Sequence, residues 1–186
     1  MVEPAGIEPA SEANSDRPNY DHVPDIAAPP RFRQRREPER LAIRCSVMRQ
    51  ASTTLSVRTT HQGLIEITDR VMRWLDGEAF DEGLLTIFCR HTSASLLIQE
   101  NAAPAARRDL EAYFARIAPE DPRAYAHDDE GPDDMPAHLR AALTQTSLSV
   151  PIFGGVPVLG TWQGIYLFEH RRRPHVREIA LHVIGT

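Results

Sequence analysis

The chain has 186 residues, of which 41% are hydrophobic and 25% charged, and its formal net charge is -5. That length suits one domain or two small ones, and the composition excludes a coiled coil, a collagen-like chain and a wholly disordered one. Mild acidity argues against a nonspecific nucleic-acid binder, and no run approaches the ~18 apolar residues of a membrane helix.

No basic segment leads into an apolar one near residue 1, so no secretory signal is expected. The two cysteines, Cys45 and Cys89, make neither a CxxC pair nor a disulfide scaffold, so a cytoplasmic setting is expected. Seven of the 15 prolines fall in the first forty positions. Residues 1–45 therefore read as a Pro- and Arg-rich extension without apolar period, expected to be disordered. Arg31, Arg33, Arg35, Arg36 and Arg40 make its end basic, as a solvated linker or as a docking arm for an acidic partner. Residues 46–186 read as the domain.

Residues 51–58 are rich in β-branched side chains and predict a strand. In EITDRVMRWLDG, Val71, Trp74 and Leu75 stand at helical spacing, with Thr68 or Asp69 as cap and Gly77 as stop. LLTIFCR (84–90) predicts a central strand and SASLLIQE (93–100) another. The clearest helix spans 101–116, with Pro104 in its first turn and Leu110, Tyr113, Phe114 and Ile117 as its apolar stripe. Residues 118–136 are turn-like and acidic, and a short helix follows over MPAHLRAAL. TSLSVPIF is a strand, GGVPVLG a hairpin-like connection, and GIYLFEH and HVREIALHVIG are strands. Two main helices among six or seven strands give an α+β fold with a largely antiparallel sheet. Hydrophobic edge strands invite oligomerisation.

His91 follows the apolar strand and opens HTSAS, which places an imidazole with Thr92, Ser93 and Ser95 at a sheet rim. This is either a hydroxyl-capped turn or a site where the imidazole binds metal or moves a proton. His127 and His138 bracket HDDEGPDDMPAH, with Gly131 and Pro132 able to turn the chain back. Two imidazoles among Asp128, Asp129, Glu130, Asp133 and Asp134 read either as a solvated acidic loop or as a divalent-metal site. His170 precedes Arg171, Arg172 and Arg173, a solvated turn or an anion clamp. If the strands end together, His170 approaches His91. Trp162 and Gln163 in GTWQG pack in the core or line a heterocycle pocket. Cys89 reads as an inert core thiol, and His182 is expected to face away from the core. No P-loop, Rossmann glycine pattern or GxSxG is present. These groups suit a small phosphorylated or heterocyclic substrate with a divalent ion.

FCRHTSASLLIQEN (88–101), the Arg-Arg-Asp run at 107–109, the segment 127–152 and LGTWQGIYLFEHR (159–171) together resemble one family. Over about residues 52–185 the chain resembles the YjbQ family, also called UPF0047. The resemblance implies a single α+β domain assembled as a homotrimer. It also implies secondary thiamine-phosphate synthase activity, a transferase reaction joining hydroxymethylpyrimidine diphosphate to a thiazole phosphate with release of pyrophosphate. That activity is either the main role or incidental to another.

The family's histidines fall on His91, His127, His138 and His170. Its acids fall on Asp109, Glu130, Asp133 and Asp134, and its amides on Asn101 and Gln163. The roles expected are catalytic for His91, Asp109, Glu130, His170 and Arg171. Thr92, Ser93, Asn101, Arg108, Trp162 and Gln163 are expected to bind substrate or cofactor. His127, His138, His91, His170, Asp133 and Asp134 are expected to ligate Mg²⁺ or Zn²⁺. The alternatives are another metal-dependent enzyme, such as a hydrolase, on a phosphorylated small molecule, or a trimeric metabolite-binding or regulatory protein. No membrane or nucleic-acid partner is expected.

Overall fold

The computed structural model describes residues 47–186 apart from Pro122, and the expected disorder of 1–45 lies outside the described residues. The elements in chain order are β1 (Arg49–Thr59), β2 (Gly63–Glu66), α1 (Thr68–Glu78), β3 (Gly83–Cys89), β4 (Ala94–Glu100) and α2 (Pro104–Ile117). They continue with α3 (Asp134–Leu143), β5 (Ser147–Phe153), β6 (Val156–Pro157), β7 (Gln163–Glu169) and β8 (His175–Gly185). The two main helices and the short third one stand as expected, and the strands number eight against the six or seven expected. The third helix, α3, is the short one expected over MPAHLRAAL, and the additions are the two short strands β2 and β6.

The strands form two sheets, one of order β1-β8-β3-β5-β6 and one of order β2-β7-β4, and every pairing is antiparallel. The fold is the expected α+β class. Alternation fixes the register: Leu85, Ile87 and Cys89 of β3 and Ile179, Leu181 and Val183 of β8 point inward. They meet Leu96, Ile165 and Leu167 from the three-stranded sheet, with Val71 and Leu75 of α1 closing the same core. Tyr166 and Phe168 point the other way, join Leu64, and are covered by Leu110 and Phe114 of α2. β7 is therefore buried on both faces, which is why its sequence is a continuous apolar run.

Two local expectations differ from the structure. The N-cap of α1 is Ile67, with no side-chain cap bond. The Thr68 hydroxyl instead accepts the Ile165 N–H at 2.9 Å, tying the helix to β7. The helix also runs through Gly77 to Glu78 and ends at Ala79 in the left-handed region, φ 52. There Arg49 donates to the carbonyls of Glu78 (2.7 Å) and Ala79 (2.5 Å) and lies over the Phe80 ring. The β5–β6 hairpin is the tight turn expected. Gly154 and Gly155 both have positive φ, 58 and 79, as a two-residue hairpin turn of this type requires.

Along α2 the expected stripe is only half used. Leu110 and Phe114 pack on the sheet, whereas Tyr113 and Ile117 are exposed. Among the described residues, no helix is long and apolar enough to cross a membrane.

Candidate metal centre

Three side chains converge where α3 meets the β3–β4 connection. One donor atom from each of His127, Asp134 and His138 lies within 4.8 Å of the others. Gly131, at φ 104, turns the acidic loop so that His127 folds back over the first turn of α3. Asp134 and His138 are four apart on that helix and so share a face. His127 Nε2 stands 2.8 Å from Asp134 Oδ2, and His138 Nε2 is 3.4 Å from the same oxygen.

The tautomer of His138 follows from its other nitrogen. Nδ1 lies 3.1 Å from the Thr92 carbonyl, which only accepts, so Nδ1 carries the proton. Nε2, 3.4 Å from Asp134 Oδ2, is then the nitrogen left to take a proton or a metal ion. Two imidazoles and one carboxylate suit Zn²⁺ or a similar ion better than Mg²⁺, which prefers oxygen ligands. A hollow of about 230 Å³, lined by His127, Tyr125, Pro132 and Met135 among others, opens beside the group.

The Asp134 carboxylate is held from behind. Arg171 bonds Asp134 Oδ1, donates from Nε to Asp133 Oδ2 at 3.2 Å, and donates from Nη2 to the Glu130 carbonyl at 2.8 Å. The Arg172 N–H also donates to Asp133 Oδ2, at 2.8 Å. Burial works to raise the Asp133 pKa, but the Arg172 amide and the Arg171 guanidinium outweigh it and hold the carboxyl below its usual range. Arg171 is therefore not a free anion clamp, because its guanidinium is occupied by the acidic loop. Arg172 and Arg173 remain exposed.

His91 and His170 stand outside the triad. His91 Nε2 accepts the Glu178 N–H at 2.7 Å, so that lone pair is taken; burial, then Arg177, lowers its pKa. His170 has no exposed surface, and its Nε2 lies 2.8 Å from Ser95 Oγ. Its Nδ1 has no partner, and burial pushes its pKa down to about 3. The end of β7 does reach the segment after His91, where the Ser93 carbonyl accepts the His170 N–H at 3.3 Å. The His91 ring, however, turns to the Glu178 N–H and the His170 ring to Ser95 Oγ.

Beside His170, the buried Glu169 is bonded by Arg177, by the Arg171 N–H and by the Thr59 hydroxyl. Burial raises its pKa, but Arg177 and these donors prevail and hold it low. Sequence reading missed the Glu169–Arg177 pair. Its signal was an arginine at a core-facing position of the alternating β8.

The remaining expected site residues divide. Thr92 lies at the triad's edge through its backbone carbonyl, while the Ser93 carbonyl accepts from Arg177 Nη2 and from the His170 N–H. Glu130 is exposed nearby, with Oε2 3.7 Å from Arg171 Nη1. Trp162, Gln163 and Asn101 are at the opposite end of β7. Seven residues at about 3.3 Å each separate the two ends by roughly 20 Å. There Gln163 Oε1 accepts the Gly160 N–H at 2.7 Å, and the Asn101 N–H donates to the Trp162 carbonyl. Trp162 is 64% exposed rather than core, and with Gln163 it lines a cleft of about 560 Å³. Arg108 and Asp109 are exposed on α2. Cys89 is a buried free thiol whose pKa burial raises, as an inert core thiol requires.

The UPF0047 YjbQ-like family pattern matches residues 53–186. The chain belongs to this family. A UPF0047 protein of Synechocystis sp. is 48% identical over 140 residues, covering 75% of this chain and 95% of the relative. The UPF0047 protein YjbQ of Escherichia coli O157:H7 is 42% identical over 119 residues, covering 63% and 86%. Among solved structures, a YjbQ-like protein of unknown function from Sulfolobus solfataricus superposes with a TM-score of 0.70 at 25% identity, covering 75% of this chain and all of that one. A YjbQ/UPF0047 protein from Clostridium acetobutylicum gives 0.63 at 30% identity, covering 72% and 98%. The N-terminal 52 residues lie outside the UPF0047 match.

Proposed function

We propose that this UPF0047 chain is a divalent-metal-dependent enzyme of small phosphorylated substrates, and that its specific reaction is thiamine-phosphate synthesis. The observation that carries the metal is the convergence of one donor atom each from His127, Asp134 and His138 within 4.8 Å, with Nε2 of both histidines near Asp134 Oδ2. The specific reaction rests on the family resemblance. His127, Asp134 and His138 would hold the ion, which supplies positive charge that stabilises a departing diphosphate. Arg171 holds Asp134 in place and offsets the charge of Asp133. The Thr92 carbonyl fixes the His138 tautomer, as second-shell partners of ligand histidines do.

In this reaction the thiazole nitrogen bonds the pyrimidine methylene carbon as the carbon–oxygen bond to diphosphate breaks. Pyrophosphate leaves and no net proton moves. Trp162 and Gln163, at the far end of β7 from Glu169 and roughly 20 Å along the strand from it, act in the same site only if a second copy brings them to it. The implied homotrimer supplies such copies. The cytoplasm is the proposed setting.

The test is purified full-length protein with both substrates and Mg²⁺ or Zn²⁺, alongside rescue of a thiamine auxotroph lacking its own synthase. Product formation lost in His127→Ala supports the reading. No product and no rescue sinks the synthase. The imidazole-rich donor set favours a second reading, hydrolysis of a phosphorylated small molecule. Metal-dependent phosphate release without coupling would support it.

A further inference from the structure

A third cavity lies on the other side of α3. It has a volume of about 330 Å³ and opens between α2, the start of β2 and α3. It exists because α2 stands off the sheet, with no residue of that helix fully buried. Arg140, Arg108, Phe114, Phe168 and Gln62 are among its walls. Arg140 is two residues from His138 on α3. At about 100° per residue it points to nearly the opposite side of the helix from the metal ligands.

Arg140 is only 4% exposed and poorly compensated. Its Nη2 donates to the Ala118 carbonyl at 2.7 Å, while the nearest carboxylate oxygen, Glu120 Oε1, is 3.9 Å away and beyond hydrogen-bond reach. Its Nε is buried with no partner among the described residues. A desolvated guanidinium with an unused donor is costly to leave so. An anion entering the cavity would remove that cost. Two further features shape what fits. Phe114 and Phe168 form an edge-on apolar wall, their ring centroids 5.3 Å apart. Arg108 stands exposed at the rim as a second cation. Glu111 also lines the cavity, but its Oε1 is held by the Leu64 N–H at 2.8 Å.

We propose that this cavity binds a small aromatic anion, a carboxylate or a phosphate monoester, with its charged group on Arg140 and its ring against Phe114 and Phe168. The volume is at the lower end of ligand pockets and takes a single ring with its charged group. The site is separate from the metal centre and does not depend on the proposed reaction.

Calorimetric titration of the full chain with benzoate, phenyl phosphate, benzyl alcohol and inorganic phosphate tests it. The expected result is saturable binding of benzoate or phenyl phosphate, at least tenfold tighter than benzyl alcohol or inorganic phosphate. Arg140→Met should weaken it tenfold or more. Ala112→Trp, which fills the cavity from an exposed position on α2, should abolish it, and this variant keeps the test sound if Arg140→Met fails to fold. His127→Ala should leave the affinity within twofold. Absence of saturable binding overturns the proposal, as does inorganic phosphate binding equally well. Binding that survives Ala112→Trp and is lost in His127→Ala also overturns it, since the anion then sits at the metal centre.

Discussion

His170 has Ser95 on one ring nitrogen, nothing on the other, and Phe168 at 4.3 Å between ring centroids. Burial first, then the positive charge of Arg140, pushes its pKa down to about 3. In the unfolded chain a histidine titrates near 6.5. The folded state therefore binds fewer protons than the unfolded state between those values. The stabilisation is fully present above about pH 6.5 and is lost as pH falls toward 3. From pH 7 to pH 5 this one residue should remove about 2 kcal/mol of stability. Urea denaturation at the two pH values measures it. His170→Gln should show a difference smaller by about that amount; an unchanged pH dependence would mean the ring is protonated in the fold. His91, also lowered, acts in the same direction in both proteins and cancels in the comparison.

At the scale of elements, the C-terminus of α1 makes its own prediction. Ala79 holds a left-handed backbone at φ 52, ψ 46, which costs an L-residue about 1 kcal/mol or more. Glycine removes that cost and returns part of it as unfolded-state freedom. Ala79→Gly should raise stability by about 0.5–1 kcal/mol, seen as a higher denaturation midpoint with unchanged slope.

The same helix shows where the sequence was legible. Its apolar spacing and its position ahead of β3 were readable from Val71 and Leu75. Its end was not, because the residue that satisfies its last carbonyls, Arg49, comes from β1, some thirty residues earlier. The strands β3, β5 and β8 were readable because alternation is a local property. The pairing of His127 with His138 was readable because Gly131 makes the intervening loop turn back. The fate of Arg171 was not, since nothing within its own segment says that the acidic loop folds onto it. Arg140 carried no signal beyond its helix, and its isolation appears only once α2 and β7 close around it.

At the scale of the whole molecule, the outer face of the five-stranded sheet carries exposed apolar residues among polar ones. Leu84, Phe88, Val176 and Ile184 are each 40% or more exposed, and Phe153 lies on the neighbouring β5 at 60%. Leu84 and Ile184 pair across β3 and β8 with Phe153 close by, whereas Phe88 and Val176 lie further along the strands. Exposed apolar side chains on a sheet face are candidates for an association surface. The proposed homotrimer would use it, and Phe88→Glu should then shift the mass measured by light scattering from three chains to one. An unchanged trimer places the interface elsewhere, and a monomeric parent protein removes the trimer.

The metal remains central, because the proposed chemistry depends on an ion held by His127, Asp134 and His138. Calorimetric titration of Zn²⁺ into metal-stripped full-length protein tests it most directly. The account predicts one tight site per chain that His138→Ala weakens by more than the 10–100-fold typical of losing an outer-shell partner. Absence of saturable binding, or binding that His138→Ala leaves unchanged, would contradict it.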